Sequence, residues 1–238
     1  MYKKRLHSFR KNTTDKKQNK DIKRLKTEVK RLKQGEEIKW YDIAKSSTAI
    51  SSSGSIQPLL ALDVWTSGNN TTRQNSREGN SINMLSYKLR GEVYIDPAFA
   101  SPDASNKIRV LLVQMTDDNI TPPALTDILE DTTSSASLYS FLKIKGQRRF
   151  KVHYDKQFNL QNTNQDATPY STPTEPFRRN FVIKAKIPKK GMKVSYSQGS
   201  ISGNGPVVNG FFLVAYSDSG VISHPAMVYR SRMRFADN

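Results

Sequence analysis

Beyond residue 37 the chain is a succession of short runs rich in Val, Ile, Tyr and Phe, cut apart by Ser, Gly, Asn, Asp and Pro. β-branched and aromatic side chains favour the pleated strand, and the intervening residues favour turns. The strand candidates are 38–50, 55–64, 82–96, 107–116, 148–160, 180–187, 192–197, 209–217 and 226–236. No amphipathic helices alternate with them; only Leu125–Thr133, after Pro122 and Pro123, could form a short helix. No repeat of fixed period is visible, which argues against propellers and solenoids. Eight or nine strands with long polar linkers (66–80, 161–176, 198–206) therefore predict an all-β, antiparallel sandwich or barrel. In the last run, Met227, Tyr229, Ser231, Met233 and Phe235 alternate with Val228, Arg230, Arg232 and Arg234. That period puts three arginines on one face of a strand.

The first 35 residues have a different texture. The whole chain has a net charge of +17. Residues 1–33 hold 14 Lys and Arg against Asp15, Asp21 and Glu28, a net of +11 in about one-seventh of the length. Charge this dense is a footprint for a polyanion, because each phosphate neutralised releases counterions without any reading of bases. The residues expected to make that contact are Lys3, Lys4, Arg5, Arg10, Lys11, Lys16, Lys17, Lys20, Lys23, Arg24, Lys26, Lys30, Arg31 and Lys33. Within the arm, Ile22, Leu25, Val29 and Leu32 are spaced by three, four and three residues, the seam of a helix that packs on other helices. The spacing predicts a helix over about 21–34 with Gly35 as its C-cap, and irregular structure before residue 20. The bland alternatives are a solubilising tail or a nuclear localisation signal. In the body, Arg148, Arg149, Lys151, Lys184, Lys186, Arg230, Arg232 and Arg234 either extend the basic surface or are ordinary solvent-facing strand positions.

Other chemistry is sparse. The chain has no cysteine, so it has neither disulfides nor thiolate metal sites. No apolar run approaches the roughly 18 residues that span a bilayer, and no apolar core follows the N-terminal charges, so neither membrane insertion nor a secretory signal is expected. Of the three histidines, His7 lies in the arm and His153 reads as a strand-surface residue. His224 falls near Ser217, Asp218 and Ser219, a stretch that reads as a polar hairpin tip rather than a catalytic triad. "GNGPVVNG" lacks the Lys-Ser/Thr of a phosphate-binding loop. Asp117, Asp118, Glu130 and Asp131 could give oxygens to calcium at a subunit junction. They lack EF-hand spacing, and loop solvation is the better reading. No enzymatic activity and no cofactor are expected.

Several stretches together resemble the coat proteins of very small icosahedral viruses. The likeness is to the satellite tobacco necrosis virus type and to the coats of circular single-stranded DNA viruses that encode a replication initiator. The stretches are "REGNSINMLSYKLRGEV" (77–93), "KIRVLLVQMT" (107–116), "LTDIL" (125–129), "GQRRFKVHYDKQFNL" (146–160) and "NGFFLVAYSDSG…MVYRSRMRFAD". Their order is similar to that of such coats: a basic arm, an R-x-G-like turn before a strand, a hydrophobic strand ending near Gln, then an R-F-x-V/I-x-x-D strand. The resemblance implies an eight-stranded antiparallel jelly roll over 36–238, with residues 1–35 as a basic, partly helical arm. It also implies about 60 copies in a closed shell, with arm helices clustered at threefold axes on a packaged single-stranded genome, DNA ahead of RNA. The implied location is the virion, with passage through the host nucleus during assembly left open. The alternative is a cellular nucleic-acid-binding protein with a β-barrel body, and behind it an enzyme of β-sandwich fold.

Overall fold

The computed structural model describes residues 13–33, 37–64, 75–95, 105–117, 123–133, 138–144, 149–161, 178–197, 205–220 and 225–237. The chain divides into two compact units, Met1–Glu37 and Ile38–Asn238. The first contains helix α1 (Thr13–Lys33). α1 begins before Asp21, where the apolar spacing alone had placed it. Lys16, Lys17 and Gln18 are good helix formers and neither Pro nor Gly interrupts residues 13–33, so propensity extends the helix past its apolar repeat.

The second unit holds strands β1 (Ile38–Ala49), β2 (Ser55–Pro58), β3 (Ser81–Tyr94), β4 (Ser105–Met115), β5 (Phe150–Gln161), β6 (Arg178–Lys184), β7 (Met192–Ser195), β8 (Phe211–Ser217) and β9 (Ala226–Asp237), with a one-turn helix α2 (Leu125–Ile128) before β5. The pairing is nested. β1 pairs β9, β2 pairs β8, β3 pairs β6 and β7, and β4 pairs β5, all antiparallel. β6 and β7 lie on successive parts of β3 and act as one strand, interrupted by residues 185–191. That interruption turns at Gly191, whose N–H donates to the Pro188 carbonyl at 2.9 Å and whose φ of 86° suits glycine.

Four nested pairs wrapped into two sheets, one ordered β1-β9-β3-β6 and the other β2-β8-β4-β5, make an eight-stranded antiparallel jelly roll. The expected strand at 55–64 is shorter, ending at Pro58, which cannot donate to a ladder and sits on edge strand β2.

Two apolar layers hold the sandwich. Met84, Leu89, Val110, Leu112, Leu213 and Phe235 belong to the core between the sheets. Leu111, Val113, Phe212 and Val214 point the other way, under a lid formed by Leu125, Ile128, Leu129 and Leu138 from the β4–β5 connection. The second sheet is therefore buried on both faces, which is why "VLLV" and "FFLVAY" read as unbroken apolar runs. The first sheet is covered on one face only, and its strands alternate. Gly91 allows the ring of Phe181 to press onto β3; a Cβ there would lie 2.5 Å from that ring.

Two buried cations sit in one charged cluster around residues 76–79 and Asp237. Buried Arg77, from the R-x-G-like stretch, donates to the carbonyls of Leu62 and Gly79 and lies 4.4 Å over the Tyr196 ring. Buried Lys39 donates to Asp237 Oδ2 at 2.9 Å and Glu78 Oε1 at 3.2 Å, joining the first and last strands of the body. Burial works against the Lys39 charge, but these two carboxylates outweigh it and hold its pKa above the ordinary lysine value.

Candidate nucleic-acid interface

Helix α1 carries the expected stripe. Ile22, Leu25 and Val29 form an apolar strip flanked by Lys26 and Lys30, and each is about half exposed. Lys16, Lys17, Lys20, Lys23 and Arg24 are exposed on the remaining circumference. Arg24 and Glu28 form an i,i+4 pair at 3.9 Å, and Thr27 Oγ1 donates to the Lys23 carbonyl at 2.9 Å. Arg31, Leu32 and Lys33 occupy the last turn of the helix backbone, with side chains outside the described residues. Lys3, Lys4, Arg5, His7, Arg10, Lys11 and Gly35 also lie outside the described residues.

The body presents a second cationic surface. On the first sheet, register aligns Asp42 of β1 with Arg232 of β9, Arg232 with Lys88 of β3, and Lys88 with Lys184 of β6. The next outward row runs Ala44, Arg230, Arg90, Val182, and the row before it runs Trp40, Arg234, Ser86. Side chains directly opposite on one face of a pair stand about 5 Å apart, close enough for like charges to repel. Asp42 takes one arginine: its carboxylate accepts from Arg232 Nε at 2.8 Å and Nη2 at 2.6 Å. Glu92, one row on, pairs with Arg178 at 3.3 Å. Among the described residues no carboxylate pairs with Lys88, Arg90, Arg230 or Lys184. The positive charge of Arg90, with some desolvation and then Lys184, presses the Lys88 ammonium below the ordinary lysine pKa.

Trp40 stands at the end of this patch, 46% exposed, with the guanidinium groups of Arg232 and Arg234 at 5.7 and 5.8 Å from its ring. Arg234 Nε is buried without a hydrogen-bond partner among the described residues. Asp42, Ile43, Ala44, Lys88, Arg90 and Arg230 help line a shallow depression of about 450 Å³ on this face. A face of converging, unneutralised cations with an aromatic plane beside it suits phosphate contact and base stacking.

The structure sorts the remaining body cations. Arg149 donates to Asp117 at 2.7 Å, while Arg148 lies outside the described residues. Lys151 and Lys186 lie near His153. His153, expected at the strand surface, is half-buried. Leu112 faces Tyr154 and Val113 faces Val152, so His153 is the extra residue of a β-bulge, which re-aims its ring inward. Its Nε2 lies 2.7 Å from Gln114 Oε1 and its ring is 5.2 Å from that of Phe211. Burial, then Lys151 and Lys186, push its pKa down to about 4.

The polar stretch at 217–219 is engaged in backbone hydrogen bonds: the Ser219 N–H donates to Ser217 Oγ, and the Lys107 N–H to Asp218 Oδ1. His224 is outside the described residues. Asp131 accepts from Thr133, and Asp118 is outside the described residues. Among the described residues no group of three or more His, Asp or Glu could hold a metal ion. No described helix is long and apolar enough to cross a membrane.

No protein-family model and no curated protein matches the chain. Solved structures of viral proteins superpose over most of it. One from Desmodium yellow mottle tymovirus is 8% identical and covers 85% of this chain and 88% of its own, at a TM-score of 0.37. A semi-empty virus-like particle of the giant freshwater prawn Macrobrachium rosenbergii nodavirus is 12% identical, covering 85% of each chain at 0.31. Merkel cell polyomavirus VP1 in complex with GD1a oligosaccharide is 10% identical and covers 84% and 94%, at 0.24. All three TM-scores are too low to carry an argument, and the jelly roll stands on the nested strand pairing.

Proposed function

We propose that this chain is a viral coat protein that assembles with copies of itself into a small icosahedral shell and holds a single-stranded genome by charge. The observation that carries the reading is the outer face of the first sheet, where Lys88, Arg90, Lys184 and Arg230 converge without carboxylate partners among the described residues. A surface that repels itself is stabilised by an anion, and a polyanion meets several cations at once. The basic helix α1 with its uncovered strip makes the same demand: Ile22, Leu25, Val29 and Leu32 would bundle between copies once phosphates neutralise the surrounding Lys and Arg. The copy number of about 60, the closed shell and the preference for DNA over RNA are what the sequence's resemblance to small viral coats implies; phosphate contact does not choose between the two polymers.

The test is assembly and packaging. The full chain, freed of nucleic acid and mixed with unrelated single-stranded oligonucleotides, should form particles of one size by electron microscopy. Its binding should fall steeply with salt and ignore sequence. Among the described residues, both apolar layers are drawn from positions after 37, so deleting residues 1–33 spares them. The deletion should leave a folded body with much less bound nucleic acid. A nearly flat salt dependence, or tight binding to one sequence alone, would favour a base-reading cellular protein instead.

A further inference from the structure

The β4–β5 connection carries a surface that the cationic reading does not use. Residues 128–131 and 138–144 form a small hairpin over the second sheet. Leu129 bridges Leu142, the Glu130 N–H donates to the Phe141 carbonyl at 3.0 Å, and the Lys143 N–H to the Ile128 carbonyl at 2.8 Å. Buried Arg109 anchors it from below. Its Nη1 donates to the carbonyls of Leu138 and Ser140, while Asp155 holds the other side of the guanidinium at 2.7 and 2.6 Å. Leu138 and Ser140 face inward, and Tyr139 and Phe141 face out. The result is a pinned hairpin that displays Tyr139, Phe141 and Ile144 at 61%, 79% and 72% exposure. These three border a groove of about 910 Å³ whose wall includes Asp155, Lys156 and Glu130.

We propose that this face docks on the same face of a second copy of the chain. The proposal rests on the self-assembling coat reading. Three side chains this exposed offer about 400 Å² of apolar surface, roughly half of the ~800 Å² that each partner of a stable contact buries. Their surroundings carry both signs: exposed Glu130 and Asp131 on one strand of the hairpin, and Lys107, Lys143 and Lys156 around it. An apolar centre with both charges beside it is complementary to itself across a twofold axis. The first-sheet face, where cations outnumber Asp42 and Glu92, repels its own copy. Pinning by Arg109 also means that little ordering entropy is lost on docking.

The test uses the full chain with single-stranded oligonucleotide as the assembly partner. Phe141→Asp with Ile144→Asp alters only exposed side chains, so the unfolding midpoint should hold while particles give way to smaller species in sedimentation. Oligonucleotide affinity of the unassembled protein and its salt slope should not change. Because the chain has no cysteine, Phe141→Cys introduces a single thiol, and a short bismaleimide should link two copies covalently in assembled protein. Unaltered particles from the double variant, or assembled Phe141→Cys protein that stays unlinked, would overturn the proposal and leave the coat reading standing. Linked pairs from a chain that never builds closed particles would do the reverse. Loss of the fold in the double variant, with linkage at 141 intact, still supports the contact.

Discussion

Neutralising Arg90 and Arg230 together tests the sheet face directly. Both are exposed, they sit opposite each other in register, and neither has a carboxylate partner among the described residues. The body alone is the right host, because among the described residues both apolar layers are drawn from positions after 37 and the charge of the N-terminal residues would mask a small change. For single strands each phosphate contact contributes about 0.7 to the slope of log affinity against log salt. Arg90→Gln with Arg230→Gln should therefore flatten that slope by about 1.4. At roughly 0.15 M salt the same two contacts correspond to a loss of about ten- to fifteen-fold in affinity. Fluorescence titration of a labelled oligonucleotide at four or five salt concentrations reads both numbers. Thermal unfolding of the same variant should hold or rise, because a pair of opposed like charges is removed. An unchanged slope, or an affinity loss accompanied by a lower unfolding midpoint, would refute the reasoning and return these arginines to the status of ordinary surface residues.

Lys39→Met should cost about 3 kcal/mol in chemical denaturation, because it removes the cation paired with the buried Asp237 carboxylate and leaves it only the Glu78 N–H, and adding Asp237→Asn should recover part of that loss. His153 stays neutral in the fold down to about pH 4, whereas the unfolded ring takes up its proton near ~6.5. The unfolded state thus binds more protons in that window, and stability falls by about 1 kcal/mol between pH 7 and pH 5 once solvent screening is allowed for; His153→Gln should flatten urea midpoints over the same range. Gly91→Ala should destabilise by about 1–3 kcal/mol through the clash with Phe181 and the Val228 carbonyl, with circular dichroism at low temperature unchanged.

The strands were legible because burial writes itself into composition: unbroken apolar runs at β4 and β8, alternation at β9. The cationic face was only half legible. Arg230, Arg232 and Arg234 follow from the alternation of β9, but Lys88, Arg90 and Trp40 escaped. On β3 the apolar positions switch from Ile82 and Met84 to Tyr87 and Leu89, because the register shifts between Met84 and Ser86. An uninterrupted period of two from Ile82 would have turned Lys88 and Arg90 inward. The switch is visible in "INMLSYKL" as a change of parity, and it is the signal that could have found them. His153 was misplaced for the same reason on β5. Which cations share a row could not be read at all, since β1, β3, β6 and β9 are far apart in sequence.

Nesting also sets a timetable. β1 pairs β9 with Ile38 opposite Ala236, so the first and last strands of the body meet only when the whole body exists. β9 is also the strand that sits between β1 and β3 in the first sheet. During synthesis β1 and β3 wait without their shared neighbour, and contacts of such long sequence separation form slowly. Three of the arginines on the cationic face belong to that final strand. A nascent chain can therefore present its basic N-terminal residues to any polyanion in the cell long before the sheet face exists, and a chain cut short before residue 226 never acquires that face.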